Sequence, residues 1–271
     1  AEPGVAIRSI TGTVENLPLA AEKNTAGMAV LALCRELDLP HGFDLDIEKG
    51  IPLGSGLGGS AASAVACIAA ATALVDEPLA RTELLKFAMQ GEAVASGSVH
   101  VDNIAPSLYG GLVLTVGIDN PFVKQIPVPD TIRCVLVHPH MVLPTREARA
   151  ILSKSVPLSD VIWQQANLAG FLAGRFTNDI ALIRESLFDV VIEPQRQVLI
   201  PGFADVKQAA IAAGALGAAI SGAGPTVFAW VDAADAEKVR TGMVAAFARH
   251  GLESDSWVST FDRAGARVVG D

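Results

Sequence analysis

The chain has 271 residues, 51% of them hydrophobic, enough to bury a large core as one large domain or two smaller ones. Its formal net charge of −9, without a basic stripe, excludes the usual electrostatics of a nucleic-acid binder or of a protein held on an anionic membrane surface. Cys34, Cys67 and Cys134 are an odd, scattered set with no Cys-x-x-Cys; together with the lack of a visible secretory leader or membrane-length apolar run, they suit reduced thiols in a cytoplasmic chain.

In chain order, Val5 to Ile10 alternates and predicts a strand. Asn24 to Asp38 predicts a helix with Met28, Leu31, Ala32 and Cys34 to Leu37 toward a core, and Asn24 suits its N-cap. Phe43, Leu45 and Ile47 mark a second strand. The next stretch, IPLGSGLGGSAAS over Ile51 to Ser63, sets a glycine-dense turn directly before an Ala-rich run, Ser60 to Val75, that reads as helix. Such an N-terminus offers unpaired N–H groups and about half a positive charge, so the pattern suits a phosphate. Gly54, Gly56 and Gly59 satisfy G-x-G-x-x-G with Asp76 downstream, but no second strand precedes Asp76, which argues against a dinucleotide fold. No Gly-Lys-Ser/Thr follows the glycines, so a Walker loop is excluded. A glycine turn that merely packs a helix close to a sheet remains as the alternative.

Arg81 to Ser96 reads as an amphipathic helix with Glu92 near its end, where an acid opposes the helix dipole; the position fits either a surface residue or a functional one. Ser96 to Asn103 places polar groups alternately, so an extended conformation would put Ser98, His100 and Asp102 on one face. There Asp102 can neutralise an ammonium and His100 can orient a carboxyl or hydroxyl, although neither is specific alone. Gly111 to Val116, Phe122 to Ile126 and Ile132 to His138 predict strands, with prolines and Asp130 marking a domain boundary between 128 and 129. Thr145 suits the cap of a helix over Pro144 to Arg149, and Leu158 to Ala173 and Asp179 to Leu187 predict further helices. Helix over Ala204 to Ala213, strands over Ala218 to Ser221 and Thr226 to Val231, helix over Ala234 to His250 and a strand near Trp257 predict a ferredoxin-like α+β sandwich, with a tight turn at Ser221 to Pro225.

Three segments carry a family likeness. PLGSGLGGSAAS resembles the phosphate-binding motif of the GHMP kinases, EAVASGSVHVDNIAPSLYGG over Glu92 to Gly111 resembles the corresponding segment of the homoserine kinases among them, and AISGAGPTVFAW over Ala219 to Trp230 resembles the superfamily's C-terminal glycine motif. The resemblance implies a two-domain α+β GHMP fold: a ribosomal S5 domain 2-like N-terminal domain over 1–128 and a ferredoxin-like domain over 129–271. It further implies transfer of phosphate from ATP, with Mg²⁺, to the hydroxyl of L-homoserine on the way to threonine.

The same resemblance assigns residues. Nucleotide contacts fall on Asn24, Pro52, Leu53, Gly54, Ser55, Gly56, Leu57, Gly58, Gly59, Ser60, Ala61, Ala62 and Ser63. Ser60 and Glu92 would hold magnesium, and His100, Asp102, Asn103, Thr145, Arg149, Arg196 and Gly222 the amino acid. Ser60, Glu92, Asn103 and Arg149 form the catalytic set. Asn103 stands where some relatives carry an Asp base, so the resemblance implies transfer without a dedicated base. Read without the family, Arg149 and Arg196 would be ordinary surface ion-pair residues. The chain opens at Ala1 and lacks the Pro-x-x-x-x-Asn-x-Gly-x-Gly-Phe-Asp segment with which such kinases begin, which suggests a start lying upstream. A homodimer is common among such kinases. A GHMP kinase for another small alcohol, or a silent nucleotide- or amino-acid-binding member, stays open.

Overall fold

A computed structural model describes residues 4–14, 16–76, 78–96, 101–117 and 119–269. The chain forms two units: Ala1–Leu53, Gly58–Ile126 and Asp262–Asp271 make the first, and Gly54–Leu57 with Pro127–Phe261 the second. Two short segments, the glycine-rich Gly54–Leu57 and the tail from Asp262, therefore lie with a unit that a single cut in the sequence would not give them.

In the first unit, strands β1 (Val5–Gly12) and β2 (Phe43–Lys49) pair in parallel, with a register shift between Ile7 and Ser9. Parallel neighbours need a crossover, and helix α1 (Thr25–Glu36) lies within it. The strict alternation of β2, FDLDIEK, turns Phe43, Leu45, Ile47 and Lys49 inward, so the last inward residue is a lysine. Helices α2 (Gly59–Thr72), α3 (Arg81–Ser96) and α4 (Val101–Tyr109) follow, and α1 packs on α2 and α3 while α4 packs on the same pair. Val30, Leu33, Ile68, Leu85, Ile104 and Leu108 are fully buried in this core. Strands β3 (Leu112–Val116) and β4 (Phe122–Ile126) form an antiparallel hairpin.

Helix α4 overturns the extended conformation expected up to Asn103. Ile104, Ala105 and Leu108 are buried at helical spacing, and that packing outweighs the polar alternation before them and tolerates Pro106 inside the helix. Asp102 and Asn103 consequently stand in a first helical turn, while Ser98 and His100 lie outside the described residues.

The second unit contains β5 (Ile132–Pro139), α5 (Thr145–Ala150), α6 (Leu158–Thr177), α7 (Ile180–Ser186), α8 (Glu193–Arg196), α9 (Phe203–Ala212), β6 (Gly217–Ile220), β7 (Val227–Asp232), α10 (Ala236–Arg249) and β8 (Ser254–Ser259). Its sheet is antiparallel in the order β6-β7-β5-β8, the ferredoxin-like order that the predicted elements called for. One face sends Val135, Val137, Val227, Ala229 and Val231 into a core with Val206 and Ala210 of α9 and Val239, Met243 and Phe247 of α10. On β7, Trp230 alternates with those residues and meets the Phe171 ring of α6 edge-on at 5.3 Å. Helix α5 begins differently from expectation: Pro144 occupies the N-cap and Thr145 is the first helical residue, because Pro144 already supplies the extended entry to the helix. Among the described residues no helix is long and apolar enough to cross a membrane.

Phe247 is 0% exposed whereas Val198 is 71% exposed. Phe247→Ala should therefore cost about 3–5 kcal/mol and Val198→Ala less than about 0.5 kcal/mol, read as shifts in urea unfolding midpoint at unchanged slope.

Candidate active site

Within the second unit, Gly54–Leu57 is tied to the β6–β7 turn. Gly56 has φ +78°, and a Cβ there would sit 2.3 Å from the Ser221 carbonyl oxygen and 2.7 Å from that of Gly224, so no other residue fits. The Ser221 hydroxyl donates to the Gly56 carbonyl at 2.9 Å, and the Thr226 N–H donates to the Ser55 carbonyl at 3.2 Å. Ser55 is buried, its Oγ accepting from the Leu57 N–H at 3.3 Å. Gly222 faces the same loop: a Cβ on it would lie 2.9 Å from the Gly56 carbonyl.

In the first unit, α2 begins from Gly58, whose left-handed φ of 72° and ψ of 28° turn the chain into the helix without a side chain to cap it. The first helical bond runs from the Ala62 N–H to the Gly58 carbonyl at 2.9 Å, so the N–H groups ahead of it have no partner inside the helix. Ser60 is half-buried at this opening, and Leu53, Pro52, Gly59 and Ala62 keep partial or full exposure while Ala61 is buried. Asn103 packs against the turn, since a Cβ on Gly58 would meet its Oδ1 at 3.5 Å. Beneath the first turn lies Lys49, whose ammonium donates to the Gly59 carbonyl at 2.8 Å and to the Ser63 hydroxyl at 2.6 Å. Ser63 in turn donates to the Gly59 carbonyl at 3.1 Å. Burial pulls the Lys49 ammonium below the ordinary lysine range, with Cys67 and Glu92 opposing that pull.

Glu92 is 6% exposed on α3, so it is no surface residue. Burial, reinforced by the Asp102 carboxylate, pushes its pKa up to about 7, and Lys49 counteracts them. The chain thus gathers Glu92, Lys49 and the first turn of α2 into one electrostatic group, with Asp102 exposed at its edge. Asn24 is the N-cap of α1: its Oδ1 accepts from the Ala26 N–H at 3.0 Å and its Nδ2 donates to the Pro18 carbonyl at 2.9 Å.

Arg149, Arg196 and Gly222 come together in the second unit. Arg196 donates from Nε to the Ala148 carbonyl at 3.0 Å and from one terminal nitrogen to the Gly222 carbonyl at 2.9 Å. Its guanidinium is held below the usual arginine range, first by burial and then by the positive charge of Arg149, with Asp189 opposing both. Arg149 and Thr145 are exposed on α5. A cavity of about 190 Å³, lined by residues of α6, β6 and β7 and by Ser186 to Asp189, adjoins this group through Asp189.

Sequence reasoning missed Lys49, although the alternation of β2 carried the signal: a lysine in phase with Phe43, Leu45 and Ile47 must point inward.

The two-unit α+β fold, with its uncapped helix start behind a glycine turn, defines a small-molecule kinase of the GHMP class. The family model described as GHMP kinases N terminal domain matches residues 24–111, and the one described as GHMP kinases C terminal matches residues 167–249. The chain is 49% identical over 270 residues to a homoserine kinase of Xylella fastidiosa (strain M12), covering 98% of this chain and 82% of that protein. It is 44% identical over 274 residues to a homoserine kinase of Chlorobium phaeovibrioides, covering 98% and 86%. The crystal structure of homoserine kinase from Cytophaga hutchinsonii superimposes with a TM-score of 0.93 at 44% identity, covering 97% of this chain and 84% of that one. The chain belongs to the homoserine kinase family of the GHMP kinases.

The resemblance noted in the sequence implies magnesium, and the donor chemistry fits it. Glu92 and Ser60 offer oxygen alone, which suits a hard cation that keeps several waters and phosphate oxygens. Among the described residues there is no group of three or more His, Cys, Asp or Glu that could hold a metal.

The folded-state pKa of Glu92, about 7, lies above the value of 4.5 expected without burial. Folding therefore takes up a proton between those pH values, and this group's contribution, complete below about pH 4.5, is lost as pH rises through 7. Glu92→Gln should leave stability unchanged at pH 4.5 and raise it by about 2 kcal/mol at pH 8, measured by urea unfolding at both pH values.

Proposed function

We propose that this chain transfers the γ-phosphoryl group of ATP to the side-chain hydroxyl of L-homoserine, giving ADP and O-phospho-L-homoserine. The near-full-length likeness to homoserine kinases carries this reading, and the open N-terminus of α2 supports it independently. In the proposal the N–H groups of Gly58 to Ala61 receive the phosphates, Asn24 and Pro52 to Ser63 line the nucleotide, and Lys49 holds the first turn in place from below. Ser60 and Glu92 hold magnesium, which supplies positive charge to the phosphates when bound. Arg149 and Arg196 grip the substrate carboxylate, Gly222 admits its close approach, and Thr145, His100 and Asp102 bind its remaining polar groups. Asn103 orients the hydroxyl, and because an amide takes no proton, the hydroxyl proton passes to an oxygen of the transferred phosphoryl group. Catalysis on this reading is positioning and charge neutralisation, the general pattern for phosphoryl transfer. The same proposal sets the enzyme in the cytoplasm, supported by three free thiols, and includes a homodimer.

The test is ADP release with L-homoserine, L-serine and mevalonate as acceptors. Homoserine should be preferred; turnover with mevalonate and none with homoserine would end the proposal. Arg149→Lys should raise the homoserine KM about tenfold with the ATP KM unchanged, because an ammonium cannot copy the guanidinium fork.

A further inference from the structure

Arg196 is the last residue of α8, a helix of four residues that its own hydrogen bonds cannot sustain. Two acids hold it instead. The Asp189 carboxylate accepts from the N–H groups of Val191, Ile192 and Glu193 at 2.8, 2.9 and 3.1 Å. The Glu193 side chain, 9% exposed, pairs with the Lys207 ammonium of α9. Lys207 in turn sits 4.8 Å over the Phe188 ring and 6.0 Å over that of Phe203, which leaves it little freedom. The second Glu193 oxygen is buried with no hydrogen-bond partner among the described residues.

A buried ion pair with an unsatisfied oxygen is a poor way to gain stability, since two well-packed apolar residues would serve as well or better. What such a pair does supply is register. Glu193 and Arg196 stand three residues apart, on neighbouring positions of the helix surface, so fixing one fixes the height and rotation of the other. That placement lets the Arg196 guanidinium reach the Ala148 and Gly222 carbonyls together.

We propose that the Glu193–Lys207 pair is a positioning device for Arg196, setting affinity for the amino-acid substrate without touching it. The inference rests on the reading of Arg196 as a carboxylate grip. Three variants test it: Lys207→Arg, which keeps the pair; the double variant Glu193→Gln with Lys207→Met, which removes both charges at similar volume and leaves none stranded; and Arg196→Ala. Thermal melts first establish that each is folded. The double variant should raise the homoserine KM about tenfold, with kcat and the ATP KM within about twofold, and Lys207→Arg should restore the wild-type value. Added to Arg196→Ala, the double variant should raise the KM no further, because it acts through that side chain. A folded double variant with wild-type homoserine KM, or one that adds its full effect to Arg196→Ala, overturns the positioning role. An unchanged KM in Arg196→Ala alone would instead overturn the grip on which the inference stands.

Discussion

A helix that starts without a side-chain cap leaves its first N–H groups unpaired, and α2 starts that way because Gly58 turns into it in the left-handed region. A serine or aspartate cap in the extended region stabilises a helix by about 1 kcal/mol but occupies its donors, and at Gly58 the left-handed φ of 72° would strain either side chain. The fold compensates from below. Lys49 binds the Gly59 carbonyl and Ser63, so the first turn is fixed through its acceptors while its donors stay free. The order of the sequence follows from this: a strand whose inward face ends in lysine, a glycine turn, and then a helix of small residues that can approach α1 and α3 closely.

Most of the fold was legible because its periods are clean. β2 alternates without exception, α2 is Ala-rich and uninterrupted, and the helix and strand order after Phe203 permits little but a ferredoxin-like sheet. The failures were local competitions that tertiary packing decided. Around Asp102 the polar alternation suggested an extended chain, yet Ile104, Ala105 and Leu108 had a core to bury against and drew the segment into α4. Thr145 had cap chemistry, but Pro144 beside it held the extended conformation that a cap position requires. A helix as short as α8 gives no periodic signal at all; the Asp189 carboxylate just ahead of it and Lys207 on α9 hold it.

The candidate site divides along the same line. The glycine turn and the helix start behind it could be read from local chemistry, although a turn that merely packs the helix fitted the same residues. The arginines could not, because nothing local relates Arg149 to Arg196. Their proximity depends on α5 presenting the Ala148 carbonyl and the β6–β7 turn presenting that of Gly222. The family likeness supplied what the spacing did not.

On the proposed reading, that pair would let an acidic chain, with a net charge of −9, favour an anionic substrate group. The long-range field repels a carboxylate only weakly, because it is screened over about 8–10 Å at physiological ionic strength. Inside that distance the local arrangement governs. The Arg149 charge acts against that of Arg196, while Asp189 and the Ala148 and Gly222 carbonyls act in its favour. An arriving carboxylate would neutralise both guanidiniums and would find Arg196 already oriented, so little side-chain entropy is lost in the contact. On the proposed reading, repulsion between the two guanidiniums would add to affinity for a carboxylate, and Asp189 already offsets part of that repulsion from the protein side.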